Sequence, residues 1–182
     1  MNTDLQYDQA IESCRNVFIH KARDYGTSWR VYRIISVVDQ IYIKAKRIRT
    51  IQEKKEQKIG DTIESEFKGI LNYGVIGLIQ LQLGEEEPEE LTVAQLETLY
   101  DSRIREAKAL MLQKNHDYGE AWREMQQETF ADMILARLQR IRQILSNEGK
   151  TIMSEGIDAN LLDIINYSVF ALILIKEGVH TS

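Results

Sequence analysis

The chain has 182 residues, of which 43% are hydrophobic and 28% charged, with a formal net charge of −5. This is ordinary for a soluble globular protein with a core, and the single cysteine, Cys14, excludes a disulfide framework and a cysteine-rich zinc site. No secretory signal opens the chain, and the longest apolar run, 167–175, is far shorter than the roughly 20 residues of a membrane span. We therefore expect a cytoplasmic protein that does not enter a membrane.

Glycine and proline together contribute only 11 residues, which favours long helices with few turns. Apolar residues at helical spacing predict three helices in the first part of the chain, from about Asp4 to Lys21, Val37 to Glu53 and Thr62 to Leu83. An acidic segment with the only proline, 84–90, reads as an exposed connector. Three further helices are expected after it, from about Val93 to Lys114, Thr129 to Asn147 and Gly156 to Lys176.

The two sets of helices are copies of one unit. Residues 20–30 reappear at 113–123 with an offset of 93, and 70–73 match 164–167 after a one-residue slip. Such agreement indicates a tandem duplication, with a first repeat at 1–83, an acidic linker and helix start at 84–99, and a second repeat at 100–182. The predicted fold is an all-α, pseudo-twofold bundle of two three-helix repeats packed as one domain. A fourth helix per repeat, over 27–36 and 120–128, is the alternative.

Each repeat contains the motif Lys-x-x-Asp-Tyr-Gly-x-x-Trp, which admits two interpretations. A cation, a carboxylate and two aromatic rings on a tight turn can stack a base and bind a phosphate. Alternatively the motif is a helix junction, in which Asp caps the next helix, Gly forms the turn and the aromatic residues fill the core. In the second copy, Asp117 followed by Glu120 resembles a capping box. The candidate ligand-binding residues here are Lys21, Asp24, Tyr25, Trp29, Lys114, His116, Asp117, Tyr118 and Trp122.

Acidic residues suggest a magnesium site in the second repeat. Glu120, Glu124, Glu128 and Asp132 recur every four residues and would form one stripe on a continuous helix. Together with Asp158 and Asp163 on the next helix, they offer the oxygen ligands that Mg²⁺ prefers. The candidate metal ligands are therefore Glu124, Glu128, Asp132, Asp158 and Asp163. The first repeat mostly lacks this set and has Gly69 where the second has Asp163. The alternative is a solvated acidic face.

Polar residues inside two apolar helices, and a basic stripe, complete the candidate set. A buried Asn72 or Asn166 must find hydrogen-bond partners, either the matching residue across the pseudo-twofold or the groups of a polar pocket. Lys44, Arg47, Arg137 and Arg140 place cations at matching positions, either as the wet face of an amphipathic helix or to bind an anion. A pI near 5.3 argues against nucleic-acid binding.

With the doubled motif, the downstream Arg-Ile-Arg and the Asn-Tyr helix, the sequence resembles the nucleotide-modification-associated domains, specifically the first family so named, long catalogued as of unknown function. The resemblance implies association with nucleotide or DNA-base modification. The chain is also distantly similar to all-α nucleotide pyrophosphatases, whose Glu-x-x-Glu and Glu-x-x-Asp motifs hold Mg²⁺. Those motifs are absent at the expected places, where Glu124 with Glu128 and Asp158 with Asp163 are loose substitutes.

Two functional hypotheses follow. In the first, the protein binds a nucleotide or another phosphorylated small molecule, with or without Mg²⁺, and hydrolyses or modifies it. In the second, it is a non-catalytic helical scaffold whose apolar surfaces form a homo-oligomer. The resemblance favours the first hypothesis.

Overall fold

The computed structural model describes residues 2–84, 90–151 and 155–182, so the connector glutamates 85–87 and 89 lie outside the described part of the chain. Its secondary structure there is six α-helices without a strand, which confirms the predicted all-α class. One turn of 3₁₀ helix follows α1 and another follows α4. The bounds are α1 Thr3–Tyr25, α2 Ile34–Lys54, α3 Ile63–Leu83, α4 Val93–Tyr118, α5 Gln127–Ser146 and α6 Ile157–Lys176, with 3₁₀ turns at Ser28–Val31 and Ala121–Glu124.

The ends of α1 and α4 differ from the sequence expectation. Both helices continue four residues further, through the Asp-Tyr pair, and stop at Gly26 and Gly119, whose φ angles are 69° and 63°. A residue with a side chain rarely adopts such positive φ values, so each helix ends at a glycine. Because Asp24 and Asp117 lie inside helices, the predictions that they cap the following helix, or form a capping box with Glu120, are wrong. The predicted fourth helix is a short 3₁₀ turn in both halves.

The six helices pack as three pairs, each of which joins one helix to its copy. The central pair is α3 with α6, the most apolar helices; α2 and α5 pack on one side of it, and α1 and α4 pack on the other. Each half therefore supplies one helix to every layer. By length and composition α6 is apolar enough to cross a membrane, but most of it is buried inside the protein as a core helix.

Small residues allow α3 and α6 to approach closely. A Cβ placed on Gly74 would lie 2.9 Å from Cγ1 of Ile165, and one placed on Gly77 would lie 2.9 Å from Cδ1 of Leu161. Real Cβ contacts are not that short, so a larger residue at either position would push the central helices apart. The matching positions of α6 are Ser168 and Ala171, which are also small and buried.

Buried hydrogen bonds tie the two halves together. Tyr7 on α1 donates its hydroxyl proton to Oδ1 of Asn166 at 2.7 Å, and its copy Tyr100 donates to Oδ1 of Asn72 at 2.9 Å. Each amide nitrogen then donates to a backbone carbonyl of its own half, at Cys14 or at Ala107. The asparagines thus bond to tyrosines of the opposite half, and not to each other. Burial raises the pKa of both phenols well above its ordinary value, so both remain protonated donors.

Ion pairs cross between the halves at the surface in the same paired manner. On the α1–α4 side, Arg15 binds Asp101 and Lys108 binds Asp8, each at 2.8 Å. On the α2–α5 side, Arg142 Nη2 lies 2.9 Å from Asp39 Oδ1. The copies of these two residues also pair, with Arg49 Nε 3.8 Å from Asp132 Oδ1. The Arg-Ile-Arg and Asp positions shared by both repeats therefore join one repeat to the other.

We predict that Tyr7→Phe lowers the free energy of unfolding by about 1–3 kcal/mol, because it leaves the buried Oδ1 of Asn166 without its donor. Urea unfolding followed by circular dichroism measures the change. Tyr25→Phe is the matched control, since that side chain is 63% exposed. Equal stability of the two variants would show that the cross-half hydrogen bond does not hold the bundle together.

Candidate functional site

A cavity of about 290 Å³ opens in the first half, where the end of α1 and the following 3₁₀ turn meet α2 and α3. Most of the first copy of the motif faces it. Its lining comprises Val17, Phe18, Lys21, Ala22, Tyr25, Gly26, Ser28, Trp29, Tyr32, Lys44, Asp61, Ser65, Glu66, Lys68, Gly69, Asn72, Tyr73 and Ile76. We call it the first-half pocket. Its volume lies near the lower end of the range of pockets that hold small molecules.

Three lysines bring positive charge to the first-half pocket. Lys44 Nζ lies 3.8 Å from Oε2 of the buried Glu66, and Lys68 Nζ lies 3.6 Å from Oε1 of Glu64. Lys21, at the end of α1, forms no ion pair with any residue in the described ranges, and its side chain is exposed. The pocket therefore has a cation available to an incoming anion.

Aromatic rings form the other part of the wall. Trp29 is half-buried, with its ring centroid 6.2 Å from that of Phe18, and Tyr73 lies on α3 below Lys44 Nζ, which is 6.0 Å from the ring centroid. Tyr25 is 63% exposed at the rim. The expectation that the motif's tyrosine fills the core is wrong in both halves, since its copy Tyr118 is 77% exposed. Rings that are part-exposed beside lysines can stack a planar ligand.

The tryptophan of the second copy of the motif is part of the core instead. Trp122 is buried and stacks on Phe170, with ring centroids 4.3 Å apart and planes at 7°. The guanidinium of Arg123 covers the same indole at 4.4 Å and also binds Glu177 at 2.8 Å. Because Phe170 replaces Ile76 of the first half, the indole has a flat partner inside the protein. In the second half the structural interpretation therefore holds for Trp122, which fills the core, and for Gly119, which ends α4, but not for Asp117 or Tyr118.

A matching cavity of about 280 Å³ persists in the second half, but its character differs. The positions equivalent to Val17, Lys21, Asp61, Ser65, Lys68 and Gly69 line it as Leu110, Lys114, Glu155, Ala159, Leu162 and Asp163, with Glu106, Ala109 and Gln113 added. Three lysines and two acids line the first-half pocket, whereas one lysine and three acids line this one. Neither aromatic residue of the motif lines the second cavity.

Asp163 explains much of that difference. Its side chain is almost completely buried and its Oδ1 lies 2.8 Å from Lys114 Nζ, while its Oδ2 lies 3.2 Å from Arg137 Nη2. Arg137 also donates to Asn160 at 3.3 Å and to the Tyr167 hydroxyl at 3.2 Å. Two cations of the predicted ligand set are thus held by an internal carboxylate.

The remaining predicted ligand-binding residues are dispersed. Arg47 lies behind the pocket, where it binds Glu66 at 3.0 Å. Asn72 lines the pocket and accepts a hydrogen bond from the Tyr100 hydroxyl. Asp24 and Arg140 are exposed and line none of the cavities described, and the exposed His116 pairs with Asp117 at 3.1 Å. Asn166 is buried in its hydrogen bonds with Tyr7 and the Ala107 carbonyl.

The predicted metal ligands do not come together. The continuous carboxylate stripe is wrong, because Glu120 precedes the 3₁₀ turn and Glu124 ends it, while Glu128 and Asp132 lie on α5. Asp132 is paired with Arg49, Asp158 and Glu128 are exposed, and Asp163 is held by Lys114 and Arg137. No three acidic, histidine or cysteine residues within the described ranges are placed to hold a metal ion. The magnesium site stays a prediction.

Sequence reasoning did not select Lys68, Glu66, Asp61, Tyr32 or Phe18, which also line the first-half pocket. A signal was present for two of them. Glu66 and Lys68 are charged residues in the first part of the mostly apolar α3, and Glu66 is buried, so a polar partner is required there. The repeat offset pairs them with Asn160 and Leu162, which shows that the two copies of the cavity differ in charge.

The fold and site define a tandem-repeat all-α protein with one aromatic, lysine-rich pocket. The chain belongs to the family described as Nucleotide modification associated domain 1, whose sequence profile matches residues 21–81 and 114–175. The two matched segments coincide with the two repeats, which confirms the resemblance inferred from the doubled motif. Comparisons with curated proteins and with solved structures found no match.

We predict that Trp122→Ala lowers the free energy of unfolding by about 3–5 kcal/mol, as large core truncations do. Trp29→Ala should cost less, because its side chain is only half-buried at the wall of the first-half pocket. Thermal and urea unfolding of the two variants compare the two copies directly. Equal losses would mean that both tryptophans serve the core alone.

Proposed function

We propose that the protein is a cytoplasmic nucleotide-binding protein and that the first-half pocket is its ligand site. Trp29, Tyr25 and Tyr73 stack the base, while Lys21, Lys44 and Lys68 bind the phosphate. The observation that carries this proposal is that one cavity combines part-exposed aromatic rings with three lysines, one of them without an acidic partner in the described ranges. Membership in a family associated with nucleotide modification supports the same ligand class.

The dimensions of the pocket restrict the ligand. A cavity of about 290 Å³ suits one base with its sugar and phosphate, and not a longer nucleic-acid segment. The base would enter past the exposed rim at Tyr25, because the opposite wall is formed by the buried face of α3. A mononucleotide is therefore the proposed ligand class, and nucleic acid is not.

In this proposal Mg²⁺ has no site of its own on the protein and would bind only together with the phosphate. The acids that line the first-half pocket are Asp61 and Glu66, and Glu66 is already held by Arg47 and Lys44. The second-half acids predicted from the sequence line other surfaces. The lysines alone suffice to bind a phosphate, so we expect affinity for the nucleotide to persist in EDTA.

The alternative function is a homo-oligomeric helical scaffold. The observation that favours it is the second copy of the motif, where Trp122 and Arg123 join the 3₁₀ turn to Phe170 of α6 and to Glu177, the residue that follows α6. The two functions differ in what the first-half pocket does. A scaffold needs no ligand there, and its stability would not change when nucleotides are added.

We predict that a nucleotide raises the melting temperature of the protein, because a ligand that binds only the native state stabilises it by about 2.7 kcal/mol at a hundredfold excess over Kd. A thermal-shift screen of ribo- and deoxynucleotides, in Mg²⁺ and in EDTA, identifies the class, and isothermal titration calorimetry gives the affinity. The absence of a shift with every nucleotide would favour the scaffold. A shift that requires Mg²⁺ would return attention to the second-half acids.

We further predict that Tyr25→Ala weakens binding of that nucleotide by about 1–3 kcal/mol, the usual worth of one stacking contact. Tyr118→Ala is the matched control, since it removes the same motif residue from an exposed place outside the pocket. Lys21→Ala should also weaken binding and reduce its dependence on salt, whereas Lys46→Ala, on the exposed face of α2, should not. Equal effects of Tyr25→Ala and Tyr118→Ala would place the base elsewhere.

A further inference from the structure

One cluster of equivalent positions holds differently charged residues in the two halves. In the second half, Lys114 and Arg137 hold the carboxylate of Asp163 between them. The equivalent residues of the first half are Lys21 and Lys44, and the position of Asp163 is taken by Gly69. The duplication has therefore kept both cations in each half, but the carboxylate that binds both of them in the second half has no counterpart at position 69 of the first.

The end of the Lys44 side chain lies over Gly69. A Cβ placed on Gly69 would be 2.9 Å from Cε and 3.1 Å from Nζ of Lys44. The backbone there is helical, and no special backbone conformation requires a glycine at this place. An aspartate at 69 would thus put its carboxylate next to the Lys44 ammonium, as Asp163 does with Arg137.

The two clusters have matching acids at Asp61 and Glu155 but differ in where the second acid lies, and Glu66 of the first half reaches Arg47 and Lys44 without pairing with Lys21. Glu66 lies 3.0 Å from Arg47 Nη1 and 3.8 Å from Lys44 Nζ, so a single buried carboxylate serves two cations. In the second half, Asn160 replaces Glu66, while Asp163 and Glu155 face Arg137 at 3.2 Å and 3.9 Å. Lys21 remains the cation with which neither Glu66 nor any other described acid pairs.

We propose that a phosphate group binds in the first-half pocket above Gly69, between Lys21 and Lys44, at the place where Asp163 holds its carboxylate in the second half. Asp163 is in this sense an internal copy of the ligand's anion, and of the two equivalent clusters only the first is an anion site. The proposal rests on the proposed function for the choice of site, but it assigns the anion without reference to the base.

The test uses inorganic phosphate as the probe, titrated by calorimetry into wild-type protein and into two variants at low ionic strength. Gly69→Asp supplies the missing carboxylate, and Gly69→Asn supplies a side chain of the same size without charge. The added side chain displaces only the flexible end of Lys44, so both variants should fold, and circular dichroism checks this. We expect one phosphate per wild-type chain, and at least tenfold weaker binding to Gly69→Asp than to Gly69→Asn.

The reciprocal variant, Asp163→Ala, removes the internal anion from between Lys114 and Arg137. We expect phosphate to raise its melting temperature by more than that of the wild-type protein, because phosphate takes the place of the lost carboxylate. Asp163→Asn, which keeps the size of the side chain, is the second variant for this arm. Equal phosphate shifts in wild type and both variants would overturn the equivalence of the two clusters.

The outcomes separate this inference from the proposed function. Absence of phosphate binding to the wild-type protein, or equal binding by the two Gly69 variants, overturns the anion site. Nucleotide binding that survives Gly69→Asp also overturns it, while the nucleotide proposal stands. If phosphate binds and is lost in Gly69→Asp, but no nucleotide binds more tightly than phosphate, the anion site stands and the nucleotide proposal fails.

Discussion

The buried amides of Asn72 and Asn166 determine how the two halves meet. Each lies in the central α3–α6 layer, where an unpaired amide would be costly, and each is satisfied by a tyrosine from the opposite half and a carbonyl from its own. Both bonds form only when the halves are related by the pseudo-twofold. The small residues Gly74 and Gly77 then allow the close approach of α3 to α6 in this arrangement, and α1, α2 and α3 line the first-half pocket.

The two copies of the motif have different surroundings in the two halves. The second half buries Trp122 against Phe170 and pairs Lys114 and Arg137 with Asp163, so these two cations and the indole already have partners within the protein. The first half has Ile76 and Gly69 at the same places, and its tryptophan and lysines face a cavity. The two copies therefore share the bundle architecture and differ in what occupies the positions around each cavity.

Much of the fold was predictable from the sequence, because the repeat and the apolar spacing are local signals. The bounds of α2, α3, α5 and α6 were predicted to within three residues, whereas α1 and α4 run further because Gly26 and Gly119, and not the aspartates before them, stop the helices. The site was less predictable. The offset paired Gly69 with Asp163, but only three-dimensional contacts show that Asp163 binds Lys114 and Arg137, and that Asp132 is paired with Arg49. Asp132 and Arg49 come from opposite halves, so their pairing leaves no mark in the spacing of either repeat, and the contacts of Asp163 join three helices of one half that are distant in sequence.

The central claim is that the first half holds an external anion where the second half holds its own. A crystal structure of the protein grown with phosphate or with the nucleotide found in the screen tests this most directly. The account predicts a phosphate between Lys21 and Lys44 above Gly69, which coincides with the Asp163 carboxylate when the first half is superposed on the second. A phosphate bound elsewhere, or the same anion seated on both halves, would contradict it.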